Sequence, residues 1–193
     1  RRDIVTNLAL RSPGILVASF NRDNLFYEVL PKSNATRQVL AFLKSFQGQS
    51  GIIYCFSRKQ VEDLTADLTL AGHKALAYHA GLPDDVRNRH QELFIRDDVP
   101  IMVATIAFGM GINKPNVRFV IHFDLPKNVE SYYQETGRAG RDGLPSHCLL
   151  LYSSADSGKI RYFIDQKTDD AQRRLAQGHL NAVVNYAESR QCR

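Results

Sequence analysis

The chain has 193 residues, 44% hydrophobic and 23% charged, with a formal net charge of +5. That suffices for one packed domain with a short appendage, and mild basicity suits a polyanionic partner without proving one. There is no Lys/Arg block, no signal-like start and no apolar run of bilayer length, so secretion through a leader and a membrane-spanning role are not expected. The three cysteines, Cys55, Cys148 and Cys192, are too widely spaced and too few for a disulfide framework. Cys55 and Cys148 sit in strand-like runs as small core residues, and a reducing compartment is the default. The abrupt ends, Arg1-Arg2-Asp3 and Gln191-Cys192-Arg193, read as a segment of a larger protein.

In chain order, residues 3–10 have a helical pattern that Ser12-Pro13-Gly14 ends. Ile15–Ala18 reads as a short strand, residues 20–24 as a polar turn, and Leu25–Leu30 as a strand. Val39, Leu40, Leu43 and Phe46 share one face of an amphipathic segment from Asn34 to Phe46. A βα rhythm follows. Gly51–Phe56 is a continuous apolar run, as expected of a strand covered on both faces. Arg58–Ala71 is helical, Lys74–Tyr78 extended, Pro83–Arg96 helical with Pro83, Asp84 and Asp85 in its first turn, and Pro100–Ala104 extended. Arg118–Phe123 and Cys148–Tyr152 are further strands, and Asn128 is a plausible N-cap for a helix between them. From Ala155 the pattern is all helical, too short for a core of its own, so it should pack on what precedes it. This alternation predicts an α/β fold with a mostly parallel sheet flanked by helices.

Ligands of such sheets bind at the carboxyl ends of the strands. The segments expected there are Ser57-Arg58, His79-Ala80-Gly81, the run Thr105 to Pro115 with Gly109 and Gly111, and Asp124. Beyond them lies Gln134-Glu-Thr-Gly-Arg-Ala-Gly-Arg-Asp-Gly143, with Arg138 and Arg141 three apart among three glycines. Small residues let backbone N–H groups approach phosphate, and the arginine fork binds it through two donors. Each piece has a plain alternative: Ser57 as a helix cap, His79 as a core histidine, the glycines as turns. Their joint placement points to a phosphate-handling edge. No Gly-x-x-x-x-Gly-Lys-Ser/Thr loop and no magnesium-binding Asp-Glu pair occur, so the chain reads as half of a nucleotide site, supplying arginine to a nucleotide bound elsewhere.

The runs Ile52–Arg58, Tyr78–Leu82, Val103–Pro115 and Tyr132–Gly143 resemble the second motor domain of the RecQ family of superfamily 2 DNA helicases, in its bacterial form. The resemblance covers essentially the whole chain. It implies a RecA-like fold of the P-loop NTPase type that lacks the P-loop itself and carries a short C-terminal helical appendage. Residues 1–18 would be the tail of the first lobe, 19–153 the second lobe, and 154–193 the start of a zinc-binding subdomain. It further implies a 3′–5′ DNA helicase driven by ATP and Mg²⁺ held mainly by the absent first lobe. Arg138, Arg141 and Gln134 would be catalytic, with Arg141 the finger on the γ-phosphate. Gly111 and Asp124, with the two arginines, would lie near the nucleotide. Ser57, Arg58, His79, Gly81 and Thr105 would face the DNA backbone.

Cys192 matches one ligand of a four-cysteine zinc site. Implied partners are single-stranded DNA and duplex junctions, the first lobe in cis, and a single-stranded-DNA-binding protein. The implied setting is cytoplasmic and nucleoid-associated, in repair, recombination and the SOS response, with no membrane. Phe56 departs from the family's asparagine, and is expected to act as an apolar plug or to weaken DNA contact at its loop. Two other readings compete: a binding module that keeps the fold without catalysis, and an unrelated nucleotide-using α/β enzyme. The second would need a glycine-rich loop where Ser57-Arg58-Lys59-Gln60 stands.

Overall fold

The computed structural model describes residues 7–9, 11, 14, 21–109 and 112–189. Most of the expected helix over 3–10, the expected strand Ile15–Ala18, nearly all of segment 1–18, Gly111 and Cys192 lie outside the described residues. The order is β1 (Leu25–Pro31), α1 (Ala35–Leu43), a 3₁₀ turn (Lys44–Phe46), β2 (Ser50–Tyr54), α2 (Arg58–Leu70), β3 (Ala75–Tyr78), α3 (Asp84–Ile95), β4 (Ile101–Ala104), β5 (Val117–His122), α4 (Val129–Thr136), β6 (Ser146–Tyr152), α5 (Ser154–Asp165) and α6 (Asp170–Glu188).

The strands form one six-stranded sheet in the order β1-β6-β5-β2-β4-β3. Every pairing is parallel. Alternate side chains of each strand go to opposite faces. Ile53, Val103, Ile121, Leu149 and Leu151 meet α1 and α2 through Val39, Leu43, Val61, Leu64 and Leu68 on one face. Ile52, Tyr54, Met102, Val120 and Cys148 meet Phe94 of α3, Phe108, Ile112 and Ala139 on the other. This two-sided burial is why the strands are continuously apolar. Cys55 and Cys148 are both buried, and burial pushes each thiol well up.

Local signals set the boundaries. Asn34 caps α1 by accepting from Arg37 N at 3.1 Å, and Asp169 caps α6 from Ala171 N and Gln172 N. Pro83 stands at the N-cap of α3, one residue before the first turn, with Asp84 and Asp85 inside that turn. The strand expected to reach Phe56 stops at Tyr54, because Phe56 N donates to Asp124 Oδ2 at 3.0 Å and turns out of the ladder. The C-terminal helices dock on the second face: Ile160, Ile164, Leu180, Val183 and Ala187 pack with Leu125, Tyr132 and Leu150. Leu180 and Val183 are fully buried, each contributing about 1.5–3 kcal/mol. Among the described residues no helix is long and apolar enough to cross a membrane.

Candidate functional site

The connection from β4 to β5, residues 105–116, is a crossover with no helix among its described residues, and it carries the site. It begins at the carboxyl edge, where Thr105 N donates to Tyr78 O at 3.1 Å. It ends at the amino edge, where buried Lys114 places Nζ 2.5 Å from Asp97 Oδ1. Burial alone would raise the Asp97 carboxyl, but hydrogen bonds from Lys114, Ser50 and Asn116 outweigh it and hold the carboxyl below its ordinary range.

The arginine turn lies against this crossover. Asn128 Oδ1 accepts from Ser131 N at 2.7 Å and starts α4, which ends at Gly137. Gly140 (φ +56°) and Gly143 (φ +82°) then bend the chain back toward β6. Arg138 Nη1 donates to Gly109 O at 2.5 Å, and Arg141 Nη1 to Ile112 O at 2.7 Å. A side chain at Gly109 would overlap the Arg138 guanidinium, so this glycine is where Arg138 docks. Arg138 Nε is buried with no hydrogen-bond partner among the described residues, and neither arginine forms an ion pair there. Burial, followed by the neighbouring Arg138 and Arg22 charges, pulls the Arg141 pKa down. Its ordinary value is high enough that it stays cationic.

The turn is braced from behind. Arg22 donates to the carbonyls of Gly137 and Gly140, and Asn24 Nδ2 to Gly140 O at 2.8 Å and Leu144 O at 2.9 Å. Arg118 Nη2 holds both oxygens of Asp142 at 2.6 and 2.7 Å. The helix itself is latched to β5, with Glu135 Oε2 2.6 Å from His122 Nε2, both buried. Sequence reasoning passed over Arg22, Asn24, Glu135 and His122. Glu135 alone carried a signal, lying three residues beyond the inward-facing Tyr132. Gly140→Ala should cost about 1–3 kcal/mol, since an L side chain there is strained and would sit 2.8 Å from Leu144 O and Ser146 Oγ. Denaturant unfolding with an unchanged m-value checks this, and a loss below about 0.5 kcal/mol would show that the turn adapts.

The other predicted residues fall into a second group along the ends of β2, β4 and β3. A Cβ on Gly81 would lie 3.0 Å from Arg58 Nη1 and 3.2 Å from His79 Nδ1, so the Arg58 and His79 side chains both border Gly81. Gly81 N donates to His79 Nδ1 at 3.2 Å, and His79 Nε2 lies 3.1 Å from Glu62 Oε1. Ser57 is engaged as the cap of α2, accepting from Gln60 N at 3.2 Å while Ser57 N donates to Gln60 Oε1 at 3.1 Å. Thr105 Oγ1 takes a long bond from Ala107 N at 3.4 Å.

Asp124 is buried and fully engaged. It receives Lys32 Nζ at 2.6 Å, Gln60 Nε2 at 3.1 Å and the Phe56 amide. Gln134 is exposed and bonds Glu130 one turn back at 3.3 Å, without a bond to either arginine. A cavity of about 190 Å³ beside Asp124 is lined by Phe56, Ile106, His122, Asp124 and Glu135. A larger hollow of about 740 Å³ lies at the amino ends of the strands, among Leu43, Gly48, His73 and Asp97, and contains none of these residues.

The crossover, the arginine turn and the second group all fall within residues 31–143, the span matched by the family model of the helicase conserved C-terminal domain. The chain belongs to that family. Within it the sequence is similar to RecQ-type proteins. It is 48% identical over 193 residues to the ATP-dependent DNA helicase RecQ of Pasteurella multocida, covering 100% of this chain and 30% of that protein. It is 39% identical over 190 residues to the ATP-dependent DNA helicase RecQ of Bacillus subtilis, covering 98% and 32%. It is 49% identical over 196 residues to the RecQ-like DNA helicase BLM of Xenopus laevis, covering 98% and 14%. The chain thus spans less than a third of the length of these relatives. The crystal structure of the RNA-helicase Prp28 from Chaetomium thermophilum bound to ADP aligns at TM-score 0.60 and 22% identity, over 74% of this chain and 35% of that one. That likeness shows the RecA-like fold alone.

Proposed function

We propose that this domain is the second motor lobe of an ATP-dependent 3′–5′ DNA helicase acting in repair, recombination and the SOS response. The observation that carries the reading is the arginine turn: two guanidinium groups without a carboxylate partner among the described residues, on a glycine-built bend braced by Arg22 and Asn24. Arg138 and Arg141 would meet the phosphates of ATP held with Mg²⁺ mainly by a first lobe in cis, where they stabilise charge on the transferred group. Gln134, Gly111 and Asp124 belong to the same proposal as supports of the nucleotide edge. For Asp124 the geometry favours a tether, since lysine, amide and glutamine already occupy its oxygens.

Arg58, His79, Gly81, Thr105 and Ser57 would contact the DNA backbone at single strands and junctions, which gives register without base specificity, as translocation requires. Arg138 and Arg141 bond the crossover, whose first residue Thr105 bonds Tyr78 beside His79, so movement of the arginine turn would be felt at the DNA-facing edge.

Cys192 would contribute one thiolate to a zinc site of the full-length protein. The described Cys55 and Cys148 do not fit that role, being buried residues of the packed core, and no group of three or more candidate metal ligands occurs among the described residues. A single-stranded-DNA-binding protein as partner and a cytoplasmic, nucleoid-associated setting complete the proposal.

The decisive experiment compares DNA-stimulated ATP hydrolysis by this polypeptide alone and with a first lobe supplied. Silence alone and turnover together support a composite site. Silence in both, with the lobes associated and ATP bound, would leave a non-catalytic binding module. Backbone recognition also predicts that affinity for single strands falls with salt and depends little on sequence, and that Arg58→Ala lowers the log–log salt slope by about one. A strong base preference at fixed salt would contradict it.

A further inference from the structure

Phe56 does not act as a plug. It is 41% exposed and lies beside Phe163 of α5, with ring centroids 6.0 Å apart and planes tilted by 38°. Phe163 is 55% exposed and meets Tyr162, itself 63% exposed, at 5.7 Å edge to face. Three aromatic rings therefore run as a solvent-facing strip from the end of β2 along α5. Beside the strip is a groove of about 600 Å³, floored by Ile160 and Ile164 and edged by Lys127, Lys167 and His179. Among the described residues no carboxylate lines it. Lys127 and Lys167 form no ion pair among the described residues, and Asp124, directly behind Phe56, has its charge offset by Lys32.

An exposed aromatic surface edged by unneutralised cations suits a partner with both flat apolar faces and negative charge. Single-stranded nucleic acid has this chemistry, because every base offers a π-face and every linkage a phosphate. Phe56 also directly precedes Ser57-Arg58 in the chain, which brings the strip next to the proposed backbone-contacting edge. We propose that the Phe56–Phe163–Tyr162 strip is a stacking platform for unpaired bases of single-stranded DNA, with Lys127 and Lys167 meeting the phosphates on either side. The proposal rests on the DNA-motor reading above and adds a contact on the C-terminal helices. A base-tolerant stack also suits a motor that must grip every sequence.

The test uses the full-length protein and a thymidine oligonucleotide carrying one 2-aminopurine. Phe163→Ala is expected to weaken single-strand binding about tenfold and to abolish the fluorescence change on binding. Phe163→Tyr should keep both, and blunt-duplex binding should not change. Lys127→Ala with Lys167→Ala should lower the salt slope while keeping the fluorescence change. Wild-type single-strand binding by Phe163→Ala, alongside weakened binding by Arg58→Ala, would overturn the platform and leave the motor reading intact. Wild-type binding by both variants would overturn the motor reading's DNA edge as well. Phe163→Ala that lowers the melting temperature with DNA binding intact, or groove occupancy by an acidic peptide that leaves DNA binding untouched, would assign the strip to protein contacts and refute the proposal.

Discussion

Arg141→Ala in the full-length protein is expected to leave ATP binding within a few-fold and to cut DNA-stimulated turnover at least roughly a hundredfold. The geometry separates the two arginines. Arg138 is docked over Gly109, with Nε buried. Arg141 is exposed, held by one good bond to Ile112 O at 2.7 Å and a long one to Asn113 Oδ1 at 3.4 Å. Releasing such a bond costs about 1 kcal/mol, well below the ~2.7 kcal/mol of barrier that a hundredfold rate represents. Arg141 can therefore exchange a carbonyl for a phosphate, while Arg138 keeps the crossover and turn in register. The alanine variant should retain its turn, because the carbonyls of Gly137 and Gly140 and the Asp142 carboxylate are gripped by Arg22, Asn24 and Arg118. Nucleotide affinity by fluorescence titration and steady-state hydrolysis together decide it. Near-normal turnover would remove Arg141 from the finger role and shift it to Arg138. A loss of affinity with turnover at saturating ATP unchanged would mark ground-state binding instead.

The βα rhythm was legible because each strand is buried on both faces and reads as an unbroken apolar run, and because Asn128 and Ser57 are polar residues of the capping type at the right offsets. The sheet order was not. β1 lies beside β6, and β5 beside β2, pairings that depend on contacts over a hundred residues apart for β1–β6 and on no local signal.

The same holds for the brace of the arginine turn. Arg22 and Asn24 sit in a stretch that reads only as a polar turn, yet they satisfy carbonyls more than a hundred residues away. Asp124 shows the complementary difficulty. A carboxylate at a strand's carboxyl end suggests a ligand contact, but a lysine at the end of β1 and a glutamine in α2 converge on it, and only the folded sheet puts them there. Phe56 stood out as a departure, but its exposure and its neighbour Phe163 became visible only once α5 was placed.

Lys32→Met is expected to destabilise the protein by about 3 kcal/mol or more, a large part of the 5–15 kcal/mol typical of a domain. Lys32 Nζ lies 2.6 Å from Asp124 Oδ1 and 3.0 Å from Asp156 Oδ2, and the side chains are 13%, 6% and 5% exposed. It also sits 4.9 Å from the centre of the Phe123 ring. Removing the ammonium leaves two carboxylates in a dry site. Asp156 keeps Lys159 at 3.2 Å and Asp124 keeps Gln60 and the Phe56 amide, so the loss falls short of two unpaired charges.

Lys32 closes the end of β1, Asp124 the end of β5, and Asp156 lies in the first turn of α5. The loss should therefore loosen the C-terminal helices and the Phe56–Ser57 corner together. Denaturant unfolding measures the first effect, and faster amide exchange in α5 and at Phe56 the second. Adding Asp156→Asn to Lys32→Met should recover about 1 kcal/mol by removing one uncompensated charge, an interaction that a double-mutant cycle isolates. A single-variant loss below about 1 kcal/mol, with no recovery in the double variant, would mean that water solvates these carboxylates. The attachment of α5 and α6 would then rest mainly on the packing of Ile160, Ile164, Leu180 and Val183.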